Sequence, residues 1–162
     1  WRQSYHPSQF SDRPGSIPYH YMVNRPHIRE EQDWPSVHCF SLAEEFLDTN
    51  RDAGNWFLQI ETFDPHEPFY APDRHRAKFP TSYQGPIRDW PPYERVTERD
   101  DEQDELRANY MALLSLCDEQ LGRVLDRMDA YDMWKDTMLV VSTDHGYLLG
   151  EHEWWAKNRM PC

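Results

Sequence analysis

Hydrophobic residues recur most regularly in the stretch that follows Asp101. They come mostly at steps of three or four residues: Leu106, Tyr110, Leu113, Cys117, Leu121, Val124, Leu125 and Met128. Such steps place side chains on one face of an α-helix, and the acidic residues that open the stretch suit the positive end of a helix dipole. The pattern therefore predicts a long helix that begins near Asp101 and packs one apolar face against the rest of the fold.

Two short apolar runs, residues 56–60 and 138–142, predict buried strands. Each is short for a helix and rich in large or β-branched hydrophobic residues. An amphipathic stretch precedes the first run. Because Ser41 and Glu44 have the spacing of a capping box, this stretch is predicted to be a helix from Ser41 to about residues 50–54. Helix, strand, long helix and strand then alternate, which is typical of an α/β fold.

Prolines divide the remaining segments of the chain. Those in the N-terminal segment, residues 1–37, are Pro7, Pro14, Pro18, Pro26 and Pro35. Proline lacks a backbone N–H and fixes its own φ angle, so we expect no long regular structure there. We predict instead an extended surface segment held by aromatic side chains. Further prolines predict loops at residues 64–78 and 84–93.

The composition is polar for a globular chain of this size. Hydrophobic residues make up 38% of the 162 residues, the mean hydropathy is −0.95, and there are 13 prolines. Disorder is disfavoured by 7 Trp, 9 Tyr and 7 Phe, because a solvated coil is poor in aromatic residues. A Pro-rich, aromatic-rich chain with few aliphatic residues is the composition expected of part of a larger domain.

Charge and cysteine content exclude several classes of function. A net charge of −12 disfavours nucleic acid and anionic membranes as partners, since both need basic patches. No apolar run approaches the ~18 residues of a membrane span. Cys39, Cys117 and Cys162 are odd in number and scattered, which disfavours a disulfide framework or a thiolate zinc site. Cys117 lies on the apolar helical face and is predicted to be a small core residue.

Polar residues that could carry chemistry follow the second predicted strand directly. Asp144 and His145 come at its carboxyl end, where open α/β sheets usually bind ligands. A carboxylate beside an imidazole can bind a divalent cation, and Gly146 allows the backbone to turn sharply. His152 and Lys157 lie a few residues farther on. These residues together predict a site at this end of the strand.

A candidate histidine follows the first predicted strand. His66 lies between Pro65 and Pro68, which restrict the backbone and reduce the entropy lost on positioning the imidazole. Such an imidazole can donate a hydrogen bond to an anion or a proton to a leaving oxygen.

Three motifs in order resemble the sulfatases of the alkaline phosphatase superfamily. Residues 143–158 have the pattern T-D-H-G-x-x-L-G-E-H-x-x-W-x-K-N, residues 57–69 are FLQIETFDPHEPF, and residues 107–112 have the pattern R-x-x-Y-x-A. Their order and spacing match the family across residues 41–161. The resemblance implies an α/β domain with a mixed sheet flanked by helices.

The resemblance also implies roles for individual residues. His66 and Lys157 match the family's sulfate-binding residues, and Asp144 and His145 match two of its metal ligands. His152 matches a less uniform family position and is a possible contact to the substrate. The implied metal is most simply Ca²⁺, with Mg²⁺ or Mn²⁺ as alternatives, and the implied substrate is a sulfated small molecule or glycan.

Other parts of the family pattern do not occur in the chain. Sulfatases use a formylglycine made from Cys or Ser in a C/S-x-P-S-R motif, and no Cys or Ser here is followed by x-P-x-R. The family's N-terminal acidic pair and K-x-x-H element are also absent. We therefore expect residues 1–162 to be the second half of one catalytic domain, with residues 1–37 as a Pro-rich excursion. The first half would be its partner and carry the nucleophile, so the isolated chain is expected to be inactive.

Two alternatives to a sulfatase stay open from the sequence. One is a phosphonate or phosphate ester hydrolase of the same superfamily, whose metal and lysine patterns overlap with these. The other is a non-catalytic relative that binds sulfated ligands. The joint presence of Asp144, His145, Lys157 and His66 argues against the second, because a binding module has no need of a metal-ligand pair and an anion clamp together.

Overall fold

One long helix organises the chain in the computed structural model, which describes residues 5–9 and 13–157. Helix α4, Asp100–Ala130, has 31 residues and three acidic residues in its first turn. At its start, the Glu102 carboxylate accepts the backbone N–H of Arg99 at 3.1 Å. The predicted long helix is confirmed. None of the described helices combines the length and apolar character that crossing a membrane requires.

The helix predicted from Ser41 begins six residues earlier than expected. Helix α2 is Pro35–Asn50, with Pro35 at its first position, where the missing N–H has no helical partner to lose. Ser41 lies inside the helix and donates its hydroxyl to the carbonyl of Val37 at 2.9 Å. The predicted capping box with Glu44 is therefore wrong, whereas the predicted end near residue 50 is confirmed.

The Pro-rich segment holds more regular structure than predicted. Helix α1, Ile17–Asn24, forms within it, and the hydroxyl of Ser16 accepts the N–H of Tyr19 at 3.3 Å as its N-cap. Pro18 lies in the first turn, where a helix tolerates proline. Three short 3₁₀ helices, Pro7–Gln9, Arg25–His27 and Glu31–Asp33, accompany it. A four-residue helix α3, Asp73–Arg76, interrupts the predicted loop at residues 64–78.

Neither apolar run that predicted a strand is a strand in the structure. Within the described ranges the sheet consists of β1, Leu148–Leu149, paired antiparallel with β2, Trp155–Ala156. A strand requires a hydrogen-bonded neighbour, and residues 56–60 and 138–142 have none. Residues 56–60 nevertheless alternate as a half-buried strand would, with Leu58 packed inward and Phe57 85% exposed. The mixed sheet is thus not confirmed.

Three apolar clusters hold the fold together, and α4 contributes to each. The first joins Leu113 and Leu116 of α4 to Phe69. The second packs Val124 and Met128 of α4 against α2 and the Met133–Lys135 3₁₀ helix, and the third packs Leu106 of α4 against β2. Helix α4 therefore fixes the segment around Phe69 and the segment around β2 relative to each other.

A buried ion pair attaches the N-terminal segment to the loop at residues 84–93. Asp89 accepts hydrogen bonds from the Arg25 guanidinium, from Tyr21 Oη at 3.1 Å and from Gln9 Nε2 at 2.8 Å. The Arg25 guanidinium also lies over the ring of Tyr70, 3.7 Å from its centroid. Aromatic side chains thus hold this segment, as predicted, but a buried carboxylate assists them.

Candidate functional site

The structure brings together the two residues that the sequence predicts to bind sulfate. Lys157 Nζ lies 2.6 Å from His66 Nε2, although the residues are 91 positions apart in the chain. Packing explains the approach, because Phe69 anchors the His66 loop on α4 and Trp155 anchors the Lys157 segment on the same helix. A cation and an imidazole therefore face each other across two separately anchored segments.

The contacts of His66 determine which of its nitrogens carries the proton. Nδ1 lies 2.7 Å from the backbone carbonyl oxygen of Glu67. A carbonyl only accepts hydrogen bonds, so we assign the proton of the neutral ring to Nδ1. Nε2 then has a lone pair that accepts the ammonium of Lys157. The ring is also packed against Phe63, with 4.3 Å between ring centroids.

A buried carboxylate lies behind this histidine. Glu67 is 3% exposed, one of its oxygens accepts the hydroxyl of Tyr93, and Oε2 lies 3.2 Å from His66 Nδ1. The hydroxyl of Tyr147 is also buried and has no hydrogen-bond partner within residues 5–9 and 13–157. Burial raises the pKa of Tyr147, and the charge of Glu67 raises it further. Glu67 was not predicted from the sequence, because an acidic residue in a proline-flanked loop gives no signal of burial.

Asp144 and His145 lie side by side on the surface. Their side chains are 85% and 44% exposed. Asp144 Oδ1 accepts the backbone N–H of His145 at 2.9 Å, and Asp144 Oδ2 lies 3.4 Å from His145 Nε2. Adjacent ligands at right angles around Ca²⁺ lie about 3.3–3.7 Å apart when each bond is about 2.3–2.6 Å. The pair therefore fits two positions of a shell that needs six or more ligands.

His152 lies in the turn between β1 and β2. It is exposed and belongs to the Glu151–Glu153 3₁₀ helix, with a left-handed φ of 55°. The turn leads through β2 into Lys157, so the two residues are linked by a short, well-packed segment. Its contact with substrate stays a prediction.

A second group of metal-type side chains occurs away from this site. Ligand atoms of Glu31, His75 and Glu119 lie within 4.8 Å of one another. Arg74, however, pairs with both carboxylates. Burial lowers the pKa of His75, whose Nε2 is 3.7 Å from Glu119. The group is therefore a charge-compensated ion-pair network between α3, α4 and the N-terminal segment.

Comparison with known proteins identifies the class to which this site belongs. The model of the sulfatase family matches residues 5–161, so the chain belongs to the sulfatase family and is a partial sulfatase domain of the alkaline phosphatase superfamily. Members of this family generally use a metal ion and a formylglycine. No solved structure matches the chain at a significant level.

Individual relatives are similar to different parts of the chain. Iduronate 2-sulfatase of Homo sapiens is 40% identical over 57 residues, 35% of this chain and 10% of that protein. Arylsulfatase of Clostridium perfringens is 24% identical over 152 residues, 83% of this chain and 31% of that protein. The multifunctional alkaline phosphatase superfamily protein PehA of Trinickia caryophylli is 26% identical over 135 residues, 66% of this chain and 26% of that protein. The chain thus spans a third or less of these relatives.

Proposed function

We propose that this chain provides the anion-binding part of the active site of a sulfuric ester hydrolase. The observation that carries the proposal is the 2.6 Å approach of Lys157 Nζ to His66 Nε2 from two separate segments. A fixed ammonium beside an imidazole is suited to a tetrahedral oxyanion, which offers several acceptor oxygens. Membership of the sulfatase family supports a sulfate ester as the source of that anion.

Each residue then has a definite task. Lys157 stabilises the negative charge that builds on the sulfuryl group during transfer. His66 can take up a proton at Nε2 and give it to the leaving oxygen. Asp144 and His145 would hold a divalent cation, most simply Ca²⁺ with Mg²⁺ or Mn²⁺ as alternatives, which would polarise a sulfate oxygen. His152, in the exposed turn before Lys157, would contact the rest of the substrate.

The remaining parts of such a site would come from sequence beyond this chain. No Cys or Ser here has the motif for formylglycine, so this chain's residues do not supply that group. We propose the N-terminal half of a sulfatase domain as the partner and a sulfated small molecule or glycan as the substrate. The exposed sides of Asp144 and His145 are consistent with further ligands arriving from that half.

A phosphonate or phosphate ester hydrolase is the second candidate. It is favoured by the similarity to PehA, whose name describes a multifunctional member of the alkaline phosphatase superfamily. The Lys157 and His66 pair would bind a phosphoryl group as well as a sulfuryl group. Relative turnover of matched aryl sulfate, phosphate monoester and phosphonate monoester substrates separates the two candidates.

The test is turnover of an aryl sulfate by the protein as its gene encodes it. Lys157→Ala and His66→Ala should each lower turnover by at least about tenfold, because losing one preorganised donor to a developing charge typically costs about 2.7–4 kcal/mol. Lys135→Ala is the control, since that lysine is exposed and pairs with a neighbouring exposed aspartate, Asp132. Wild-type turnover in both site variants would disprove the assignment of the anion clamp.

A further inference from the structure

Glu67 is a carboxylate that is buried directly behind His66. Its side chain is 2% exposed, and burying an unpaired carboxylate is costly. The hydroxyl of Tyr93 donates a hydrogen bond to Glu67 and so offsets part of the free energy of burying the carboxylate. Glu67 has a neighbour that can become a cation, because His66 Nδ1 lies 3.2 Å from its Oε2.

The hydrogen-bonding pattern of His66 changes when an anion arrives. Without an anion, Nδ1–H donates to the backbone carbonyl oxygen of Glu67, with the Glu67 carboxylate Oε2 3.2 Å away, and the lone pair of Nε2 accepts a hydrogen bond from Lys157. A sulfate oxygen has lone pairs and no proton, so it would be repelled by the lone pair of Nε2. Lys157 can turn its ammonium to the anion. Nε2 can bind the same anion only if it donates a hydrogen bond. That requires one additional proton on the ring.

We propose that Glu67 is a positioning residue that enables His66 to take up one proton when an oxyanion binds between His66 and Lys157. The inference rests on the function proposed above, because it takes the anion to bind at this pair. The proton comes from solvent and forms one N–H bond at Nε2, while no bond of the anion breaks. The resulting imidazolium lies between two negative groups, the Glu67 carboxylate at Nδ1 and the anion at Nε2.

The other charged groups that face His66 fit this arrangement. Lys157 opposes a second positive charge until an anion neutralises it. Asp64 is a second nearby carboxyl, which accepts the hydroxyl of Ser36. Burial raises the pKa of Asp64. Glu67 Oε2 lies 3.2 Å from His66 Nδ1, so Glu67 is the counter-charge in direct contact with the ring.

Calorimetry of inorganic sulfate binding at neutral pH tests the proposal. Titrations in two buffers of different ionisation enthalpy give the number of protons taken up per sulfate bound. The wild-type protein should take up a substantial fraction of one proton. Glu67→Gln should take up less and bind sulfate about tenfold to a hundredfold more weakly, the range seen when the carboxylate partner of a metal-bound histidine is removed. Glu61→Gln, an exposed carboxylate in the same segment, should match wild type.

Tyr93→Phe is the control for a folding defect. It removes the hydrogen bond to Glu67, as a structural disturbance would, but leaves the carboxylate charge. It should retain the proton uptake. Sulfate binding without proton uptake, or equal uptake in Glu67→Gln, would overturn the role of Glu67 and leave the proposed function standing.

Failure of wild type to bind sulfate would count against the proposed function instead. Ring ¹⁵N shifts then decide the role of Glu67 without any anion. The ring ¹⁵N shifts of His66 should differ between Glu67→Gln and wild type and should be the same in Glu61→Gln as in wild type. Unchanged shifts in Glu67→Gln would overturn the inference.

Discussion

Among the buried charged residues, Glu67 and Asp89 differ in purpose. Glu67 lies behind a partly exposed histidine, whereas Asp89 is enclosed by hydrogen-bond donors. An enclosed, fully paired carboxylate fixes the relative position of chain segments. A carboxylate with an ionisable partner can instead respond to a ligand. Asp89 is thus expected to matter for stability and Glu67 for binding.

Replacing Asp89 should therefore destabilise the fold. In Asp89→Asn the Arg25 guanidinium keeps its charge in a mostly buried position without a counter-ion, which typically costs about 3–5 kcal/mol. We expect the lower end of that range, because Arg25 is 18% exposed and stays stacked on Tyr70. Urea unfolding followed by tryptophan fluorescence measures the change.

Asp52→Asn is the matched control for this experiment. Asp52 is 92% exposed and pairs with the adjacent Arg51, so its replacement should change the free energy of unfolding by less than about 0.5 kcal/mol. Equal effects of the two substitutions would show that the buried pair does not hold the N-terminal segment.

At the scale of elements, the sequence predicted the long helix, which depends on local periodicity. It failed for the two strands, which depend on hydrogen-bonded neighbours elsewhere in the chain. The stripe of hydrophobic residues located α4 to within one residue at its start, because a helix satisfies its own hydrogen bonds. Residues 56–60 and 138–142 have the composition of strands, but a strand also needs a partner that composition cannot show. The start of α2 was predicted wrongly because Ser41 has the sequence pattern of an N-cap. The true first position is Pro35, and the prolines of that segment predicted irregular structure.

The same distinction applies to the candidate site. Motif resemblance selected His66 and Lys157, and the structure places their nitrogens 2.6 Å apart. The sequence could not show that Glu67 is buried behind His66, since its burial depends on Tyr93, 26 residues away. Long-range side-chain contacts of this kind leave no periodic trace in a single sequence.

Helix α4 provides a direct test of the core. Leu116 is fully buried in the cluster with Phe69, while Leu114, two residues earlier, is 39% exposed. Leu116→Ala should lower the free energy of unfolding by about 2–5 kcal/mol, the usual cost of a cavity at a buried leucine. Leu114→Ala should change it by about 0.5 kcal/mol or less. Similar costs for both would mean that α4 does not pack through the face described here.

At the scale of the whole molecule, the apolar residues that remain exposed are concentrated on particular segments. Phe57 belongs to one predicted strand and Phe63 follows it, and Met138, Val140 and Val141 belong to the other; all five are more than 60% exposed. Both segments pack their inward side chains on the same cluster with α2 and α4. Their outward faces are therefore suited to packing against a further layer, which the partner half proposed above would provide.

The same incompleteness gives the last prediction, on catalysis by residues 1–162 alone. The purified chain should neither hydrolyse an aryl sulfate nor bind Ca²⁺ tightly. Asp144 and His145 provide two of the six or more ligands that Ca²⁺ takes, so water would fill most of the shell. The chain also lacks the motif for the family's formylglycine, and in the part of the chain that the structure describes the partner of His66 Nε2 is Lys157, which we assign to anion binding. Turnover assays with and without added calcium, together with calcium calorimetry, measure both properties. Metal-dependent turnover that exceeds a buffer blank, and that Lys157→Ala abolishes, would show that this chain contains a complete catalytic site and a nucleophile of its own.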